Sequence, residues 1–531
     1  MARQRLSILP PSIIIIVATL TYIFSLSYII VPVTMVTCVL LTLALYLYSN
    51  VREGIVIGAL SFIVSTVSVY YHAIAYSTIG IDQSRFAYSV RSVVESGTTD
   101  YIHSGFYNDI PLFYLLPSMY NLISGGEYIS PLVIYSAGAG LVPMFVYLFS
   151  SRLGLEAKQS IAAAGLGSLL PMYRYFAFEP NPNYHLFLIT LVLVFSLSMF
   201  LNNDGQRSLL LVVLTMATIV YSHKFATIII SIVVFLIMIT SILGEYGIIQ
   251  SNSQGRRQRY GFWAILMALG GVLVLFQWIY VGDYLYSAFS RVFVQSESIS
   301  VVPTAAESVS DPLIWHSHVI VLFGLSGIGW VYSLRTTDLS EEKALLLSYA
   351  AVAAFLYIVA TVGGVLPQQR ALLMSEPILA PLSIVAISLL NRKSIIAIIA
   401  ISVVLSFSLA PIAIADNPNQ HKYYLDKDEY MGQEFIISNS ENPVYADRIS
   451  TSKAMEIDIE NDFNQFNNSL LSKEINDYSH GYIYLRSEQE EFLIRGSELD
   501  GSTWQLNYDL DSYLDNNKNK IYNNSGSEIH H

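Results

Sequence analysis

Charged residues and cysteines are both scarce in this chain. Of its 531 residues, 53% are hydrophobic and only 13% are charged, whereas charge makes up about a quarter of an average soluble domain. This composition excludes an ordinary soluble globular protein and indicates a polytopic α-helical membrane protein. The single cysteine, Cys38, lies inside an apolar run, so an intrachain disulfide and a cysteine-based metal site are both excluded.

Standard nucleotide-binding and hydrolase motifs are missing as well. The sequence contains no phosphate-binding loop, GxGxxG fingerprint, HExxH motif or GxSxG elbow in a usable context. We therefore do not expect ATP-driven transport by this chain alone, or hydrolysis at those standard sites. No solenoid repeat is found either.

Negative charge is concentrated at the C-terminal end. From residue 416 onward there are 22 acidic and 9 basic residues, a net charge of −13, and the preceding part is close to neutral. We divide the chain into a membrane part, residues 1–415, and an acidic tail, residues 416–531. In the tail, the pattern predicts a helix over Asp428–Ser438 and strands near residues 443–447, 481–486 and 492–495, hence a small α/β or α+β domain.

The membrane part contains apolar runs of the length that crosses a bilayer as a helix, about 17–25 residues. We predict about 13 spans, at residues 9–31, 33–49, 54–76, 129–150, 158–176, 184–202, 207–222, 224–243, 261–281, 315–333, 344–366, 371–390 and 394–414. Lys and Arg gather in alternate loops, and basic residues in short loops stay in the cytoplasm. This predicts a cell-membrane protein with a cytoplasmic N-terminus and an outward tail. Two outward loops, 77–128 and 282–314, are then long, and such loops commonly carry function.

The first outward loop concentrates ionisable residues. Asp82 and Arg85 open a predicted amphipathic helix over Gln83–Ser96, and His103 and Asp109 follow it. A carboxylate here could act as a general base that takes a proton from an acceptor hydroxyl. The alternative is that Asp82 and Asp109 only cap helices.

Three further groups of polar residues lie at predicted outer ends of spans. Glu179, Asn181 and His185 form a proline-rich hinge that could hold a sugar or a metal ion, or be no more than a tight turn. His223 and Lys224 form a hairpin, whose lysine could meet a lipid phosphate or simply reach the bilayer surface. Arg370 suits a phosphate through its planar fork, and the alternative is a structural pair with Glu376.

The loop motif has a known counterpart. Gly80-Ile-Asp82-Gln-Ser-Arg85, the amphipathic helix after it, and Tyr107-Asn-Asp-Ile-Pro-Leu-Phe113 leading into a half-buried helix resemble prokaryotic glycosyltransferases of the GT-C superfamily, archaeal members above all. The resemblance covers about 40 residues as motif, 80–120, and most of the chain as layout. Gln83 departs from the Asp-Glu of protein mannosyltransferases, and the tail lacks the WWDYG signature of oligosaccharyltransferases. Three predicted spans precede the acidic loop, two more than the single span that is usual in that layout.

This resemblance implies a GT-C fold and a function. An inverting enzyme would transfer sugar from a polyprenyl- or dolichyl-phosphate donor to a glycan, lipid or protein acceptor, with no nucleic-acid partner. Asp82 would be the base, and Arg370 and Lys224 would bind the lipid phosphate. A divalent metal, Mg²⁺ or Mn²⁺, is compatible with this chemistry, with Asp82, His103, Glu179 and His185 as candidate ligands. The sugar and acceptor would contact Arg85, Asp109, Glu179, Asn181, His185 and His223.

Two other functions share parts of this pattern. A polysaccharide polymerase or ligase also has many spans and large outward loops, but has less need of a tail of ~115 residues. A secondary transporter with an appended domain would favour inverted repeats and polar residues near the bilayer midplane. Here the charges lie at the outer rim and no repeat is found, so glycosyl transfer is the prediction.

Overall fold

The fold is that of a computed structural model, which describes residues 13, 30–48, 51–74, 77–78, 80–102, 107–125, 132–201, 205–223, 226–245, 264, 266–279, 282, 312–335, 339–363, 368–389, 425–458, 463–466, 480–486, 491–493, 503–505, 510–524 and 527–531. Several predictions lie outside these residues. They concern His103, Lys224, nearly all of the first predicted span and of the loop 282–314, the last span 394–414, and the boundary between membrane part and tail at residue 415.

The membrane part consists of apolar helices packed around a common core. In chain order they are α1 (Ile30–Tyr48), α2 (Glu53–Ile74), α3 (Ile81–Ser96), α4 (Leu112–Ser124), α5 (Val133–Ala137), α6 (Leu141–Arg152), α7 (Ala157–Leu169), α8 (Pro171–Phe178), α9 (Pro182–Leu201), α10 (Gly205–Val220), α11 (Ala226–Glu245), α12 (Leu266–Ile279), α13 (Pro312–Arg335), α14 (Glu341–Gly363) and α15 (Gln368–Ser388). Within the described ranges, five stretches are long and apolar enough to cross a membrane: Glu53–Tyr70, Val133–Arg152, Pro182–Leu201, Glu341–Thr361 and Gln369–Ser388. A polytopic helical membrane protein is therefore confirmed, and the count of about 13 spans stays a prediction.

One predicted span is divided in two. Residues 158–176 form α7 and α8, separated at Leu170, whose backbone is extended (φ −61°, ψ 136°). A proline disfavours the helical region for the residue before it, and is itself suited to the first turn of a new helix. Pro171 therefore ends one helix and begins the next.

The carboxylate of Glu376 caps the N-terminus of α8. It accepts hydrogen bonds from the backbone N–H groups of Met172 and Tyr173, at 3.2 and 3.3 Å. These are among the N–H groups that a helix start leaves without an intrahelical partner, and a negative charge there is stabilised by the helix dipole. Glu376 thus joins α15 to the N-terminus of α8.

The first outward loop contains the two helices that the sequence predicts. α3 ends at Gly97, which is left-handed (φ 72°) and donates its N–H to Val93 O at 3.0 Å. α4 buries Phe113 and Tyr114 and exposes an apolar stripe on its other side. That stripe, whose Ile123 is 84% exposed, matches a helix lying at a membrane surface. Its other members are Leu116, Met119 and Leu122.

The tail contains a mixed sheet flanked by helices, and its predicted helix and strands are confirmed. Its elements are α16 (Lys427–Asn439), β1 (Val444–Ala446), α17 (Arg448–Ile457), β2 (Phe463–Gln465), β3 (Tyr482–Arg486), β4 (Glu491–Leu493), β5 (Thr503–Gln505), α18 (Leu510–Asn517), β6 (Lys520–Asn523) and β7 (Ser527–His530). The sheet order is β2-β1-β3-β7-β6. β1 pairs in parallel with β2 and β3, whereas β7 pairs antiparallel with β3 and β6. β4 and β5 form a separate antiparallel ribbon.

A small apolar core and a buried ion pair stabilise this sheet. Ile436, Val444 and Tyr484 belong to a cluster distinct from the membrane core. Beside it, Arg486 Nη2 lies 3.2 Å from Asp447 Oδ2, with both side chains buried. Asp447 also caps α17, since its Oδ1 accepts from Ser450 N at 3.0 Å.

Replacing Arg486 by Met is expected to destabilise the tail by about 3–5 kcal/mol, because removing one partner leaves the Asp447 carboxylate buried without its counter-charge. Thermal unfolding of the purified chain, followed by near-UV circular dichroism, measures the loss. The control is Lys520→Met, which breaks a more exposed pair with Asp515 and Glu528 and should cost about 0–1 kcal/mol. Equal losses of stability in the two variants would contradict the claim that burial makes the Arg486–Asp447 pair the costlier one to break.

Candidate active site

Asp82 lies exposed in the first turn of α3. The helix begins at Ile81 with Gly80 as its N-cap residue, and no side chain caps it. The alternative interpretation of Asp82 as a helix cap is therefore wrong. Among the described residues none donates a hydrogen bond to its carboxylate.

Gly80 is the point where α3 meets the hinge after α8. Its backbone has a positive φ of 98°, a region that disfavours every residue with a side chain. A Cβ at this position would lie 2.2 Å from Gln83 Oε1 and 3.2 Å from the carboxyl carbon of Glu179. Glycine therefore permits both the turn into α3 and the close approach of Glu179.

Glu179 ends α8 beside this turn. Its backbone N–H donates to Tyr175 O at 3.1 Å, and its Oε2 accepts from the Tyr175 hydroxyl at 3.1 Å. Burial raises the pKa of Glu179 to about 7, and the negative charge of Asp82 acts in the same direction. The Tyr175 hydroxyl and the positive charge of Lys453 oppose this rise. Asp82, Glu179 and Lys453 thus share one electrostatic environment.

The tail forms one wall of this site through α17. Lys453 is fully buried, and its Nζ donates to the backbone oxygens of Thr78 and Gly80 at 2.5 and 2.6 Å. Glu456, on the same helix, accepts from Thr78 N at 3.0 Å and from Thr78 Oγ1 at 2.5 Å. Burial lowers the pKa of Lys453, and the nearby carboxylate of Glu456 limits the shift. The tail and the start of the loop over residues 77–128, which the sequence predicts to face outward, therefore lie at the same end of the helix bundle.

Sequence reasoning missed Lys453 and Glu456. A signal was present, because Ile449, Lys453 and Glu456 are spaced by four and three residues and so share one face of α17. All three are buried. A lysine in line with a core isoleucine indicates a buried, paired charge.

The hinge residues Asn181 and His185 stabilise structure on the inner side of the site. Asn181 Oδ1 accepts from the backbone N–H groups of Asn183 and Tyr184 at 3.0 and 3.2 Å, which caps α9. The ring of His185 is buried against Tyr135 and Phe113, with centroids at 5.0 and 6.1 Å. Its Nδ1 has no hydrogen-bond partner in the described part of the chain.

The other predicted residues are more dispersed. Arg85 is exposed one turn beyond Asp82 on α3, and Asp109 is exposed before Pro111, the N-cap residue of α4. Asp109 does not cap α4, so that alternative is wrong as well. Buried His223 accepts a hydrogen bond from Gln277 at its backbone oxygen, at 2.7 Å. Arg370 is half-buried in the first turn of α15.

A second group of candidate metal ligands lies in the tail. Potential ligand atoms of Asp515, Glu528 and His530 lie within 4.8 Å of one another. The ammonium of Lys520 lies 3.0 Å from Asp515 Oδ1 and 2.7 Å from Glu528 Oε2. Lys520 already neutralises these carboxylates, so the group is an ion-pair cluster.

The raised pKa of Glu179 predicts a pH-dependent effect on stability. The pKa of Glu179 in the folded protein, about 7, lies above the ordinary value of 4.5. The stability of the folded protein relative to the unfolded chain is therefore highest, as far as this group is concerned, below pH 4.5, and this stability is lost as the pH rises through 7. Glu179→Gln cannot ionise. Its unfolding free energy should therefore exceed that of wild type by up to about 3 kcal/mol above pH 7, and by little at pH 4.5. Thermal unfolding at both pH values tests this, and a difference independent of pH would contradict it.

Comparisons with known proteins identify the fold. No protein-family model matches this sequence, and no curated protein matches it either. Similar solved structures include the apo oligosaccharyltransferase of Archaeoglobus fulgidus, with a TM-score of 0.51, 11% identity, and coverage of 82% of this chain and 70% of that chain.

Two further structures from that organism are also similar. Oligosaccharyltransferase AglB, in complex with an inhibitory peptide and a dolichol-phosphate, has a TM-score of 0.51 at 12% identity, and covers 82% of this chain and 70% of its own. The complex with Zn and sulfate has a TM-score of 0.50 at 13% identity, with coverage of 81% and 68%. At this level of identity the likeness concerns the fold, and the chain therefore has the GT-C fold that the resemblance in its first outward loop predicts.

Proposed function

We propose that this protein is a membrane glycosyltransferase that transfers a sugar from a polyisoprenyl-phosphate-linked donor to an acceptor on the outer face of the cell membrane, with inversion at the anomeric carbon. The observation that carries the proposal is the placement of Asp82. Its exposed carboxylate follows Gly80 by two residues, and Gly80 is where Glu179 approaches the turn and Lys453 of the tail contacts it. A free carboxylate at a bilayer edge, in a chain with the GT-C fold, suits this chemistry.

Asp82 acts as the general base. Its carboxylate takes the proton of the acceptor hydroxyl or amide as that group attacks the anomeric carbon, and the bond from this carbon to the phosphate oxygen breaks. The polyisoprenyl phosphate leaves with the bonding electrons. Attack from the face opposite the leaving group inverts the anomeric carbon.

Glu179 and its neighbours bind the sugar and the acceptor. Because burial raises the pKa of Glu179 to about 7, its carboxyl group is present in both protonation states near neutral pH, and so can donate or accept a hydrogen bond from a sugar hydroxyl. Asp109 and Arg85 are exposed on the same loop. Asn181, His185 and His223 shape the pocket from the helices behind it.

Arg370 binds the donor phosphate. Its guanidinium presents a planar fork that pairs with two phosphate oxygens, and it stabilises the charge that develops on the leaving group. Arg370 and Glu179 stand at helix ends that are both predicted to face outward. Their helices are in direct contact, through the hydrogen bonds of Glu376 to the N-terminus of α8. Lys224 is the second candidate for this phosphate.

The carboxylates of Asp82 and Glu179 fit a divalent cation. The negative charge of Asp82 disfavours ionisation of Glu179, and a bound cation would relieve this repulsion. Oxygen ligands of this kind suit Mg²⁺ or Mn²⁺. When bound, such an ion would orient the acceptor and neutralise charge on the phosphate.

The similar structures support the substrate class. AglB has been seen with a dolichol-phosphate and with an inhibitory peptide, and the same archaeal enzyme has been tethered to an acceptor peptide. A lipid phosphate and an acceptor can therefore both be bound on this fold. For this chain we propose a glycan, lipid or protein acceptor, a cytoplasmic N-terminus and an outward tail.

Asp82→Asn is expected to abolish transfer, since an amide cannot accept the acceptor's proton. The measurement is consumption of polyprenyl-phosphate-linked sugars by the purified full chain, with and without EDTA. Removal of a general base typically lowers the rate by about 10²–10⁴-fold. If a divalent ion takes part, EDTA lowers the wild-type rate and added Mg²⁺ or Mn²⁺ restores it.

Glu95→Gln is the matched control. Glu95 is exposed near the other end of α3, so its replacement removes one negative charge from the same helix and should leave turnover unchanged. If wild type consumes no donor from a broad panel, or if Asp82→Asn matches wild type while it remains folded, the proposed function is wrong.

A further inference from the structure

We propose that Lys453 is a positioning residue of this site, which acts from the tail to hold the backbone before Asp82 in its working conformation. This inference rests on the proposed function for its catalytic readout. Lys453 does not touch the reacting atoms. It acts through the segment that carries the base.

The ammonium of Lys453 is fully committed to hydrogen bonds. Its three N–H donors face the backbone oxygens of Thr78 and Gly80, at 2.5 and 2.6 Å, together with Glu456 Oε1 at 3.3 Å and Thr78 Oγ1 at 3.0 Å. Two carbonyl groups that are two residues apart thus converge on one cation. This contact fixes the path of the chain directly before the first turn of α3.

Glu456 fixes the same segment from its other side. Its carboxylate accepts from the N–H of Thr78 and from the Thr78 hydroxyl. Thr78 therefore directs its N–H, its carbonyl oxygen and its side chain toward α17. Arg91 adds a contact farther along α3, because its Nη1 donates to the backbone oxygen of Glu456 at 2.6 Å.

The segment before α3 needs a partner from elsewhere in the chain, because the N-terminus of α3 has no side-chain cap to hold it in place. Its N-cap residue, Gly80, has no side chain to bind the first N–H groups, and its positive φ is one of several conformations that glycine adopts readily. The two carbonyl contacts of Lys453 select one of them. In that conformation Gly80 lies against Glu179, and Asp82 follows two residues later.

The chemistry of the contact indicates a role beyond stability. A buried ion pair can often be replaced by well-packed apolar residues without loss of stability, so an apolar joint would suffice to attach the tail. Lys453 and Glu456 instead form directional hydrogen bonds to backbone atoms. Such bonds specify geometry, and catalysis is sensitive to displacements of about 1 Å.

The test compares variants of the full chain for both turnover and local backbone order. Lys453→Met keeps most of the length of the side chain and removes its donors. We expect kcat for the lipid-linked donor to fall by about 100-fold with KM unchanged, since the donor phosphate is bound elsewhere. Amide hydrogen exchange, measured by mass spectrometry, should become faster over residues 77–86 and stay unchanged in the sheet of the tail.

Two controls separate positioning from general stability. Lys427→Gln removes an exposed lysine from the first turn of α16 and should change neither readout. Ile436→Val removes a methyl group from the core of the tail, a cluster that does not include Thr78. It should lower the melting temperature of the tail without altering kcat at temperatures where the protein is folded.

A second variant keeps the inference testable if Lys453→Met does not fold. Thr78→Val retains the backbone carbonyl but removes the hydroxyl that joins Glu456 and Lys453, and we expect a smaller decrease in kcat with the same local increase in exchange. The inference is overturned if the folded variants keep wild-type kcat and exchange, or if kcat falls only in proportion to the unfolded fraction. If wild type turns over no donor, the proposed function fails, and the exchange of residues 77–86 alone decides whether Lys453 orders this segment.

Discussion

The described structure depends on a polar contact between two segments that are 375 residues apart in sequence, Thr78 and Lys453. A lysine is almost never fully buried without partners, and here the partners are backbone oxygens of the membrane part. Moving the tail by a few ångströms would leave the ammonium and the Glu456 carboxylate unsatisfied in an apolar environment, which is costly. The polar contact therefore fixes the register of tail against loop, where an apolar surface would allow sliding.

That register determines which groups meet at the end of the bundle beside Gly80. Asp82 is exposed and follows the glycine turn, whereas Glu179 approaches the same turn from α8 and is partly buried. The two carboxyl groups thus have different environments, which is how proteins assign different roles to chemically similar side chains. The break before Pro171, closed by Glu376, allows α8 to deliver Glu179 to this point.

The sequence predicts the helices and strands well and the tertiary contacts between them poorly. The described apolar helices, the helix that ends at Gly97 and the predicted tail strands all follow from local pattern, which is why the structure confirms them. The division at Pro171 was visible as a proline in an apolar run, but hydropathy alone ignores it. Lys453 and Glu456 were missed, because charge in an acidic tail is ordinarily solvated. Their position on the same helix face as Ile449 indicates burial, but it does not identify a partner 375 residues away. Capping by Asp82 and Asp109 was a plausible alternative by residue type, yet the helices start elsewhere.

The topology of the tail also sets an order of assembly. Strand β7 lies between β3 and β6 in the sheet, so the tail cannot complete its sheet until residues 527–530 have been synthesised. Thr78 leaves the ribosome 375 residues before Lys453, roughly 20 to 75 s earlier at the usual rate of synthesis. During that interval the loop is inserted beside the membrane without the helix that orders it. A product truncated before α17 would thus carry the membrane helices but lack the contacts of Lys453 and Glu456 with Thr78 and Gly80, so the order of the turn before α3 depends on translation of the tail.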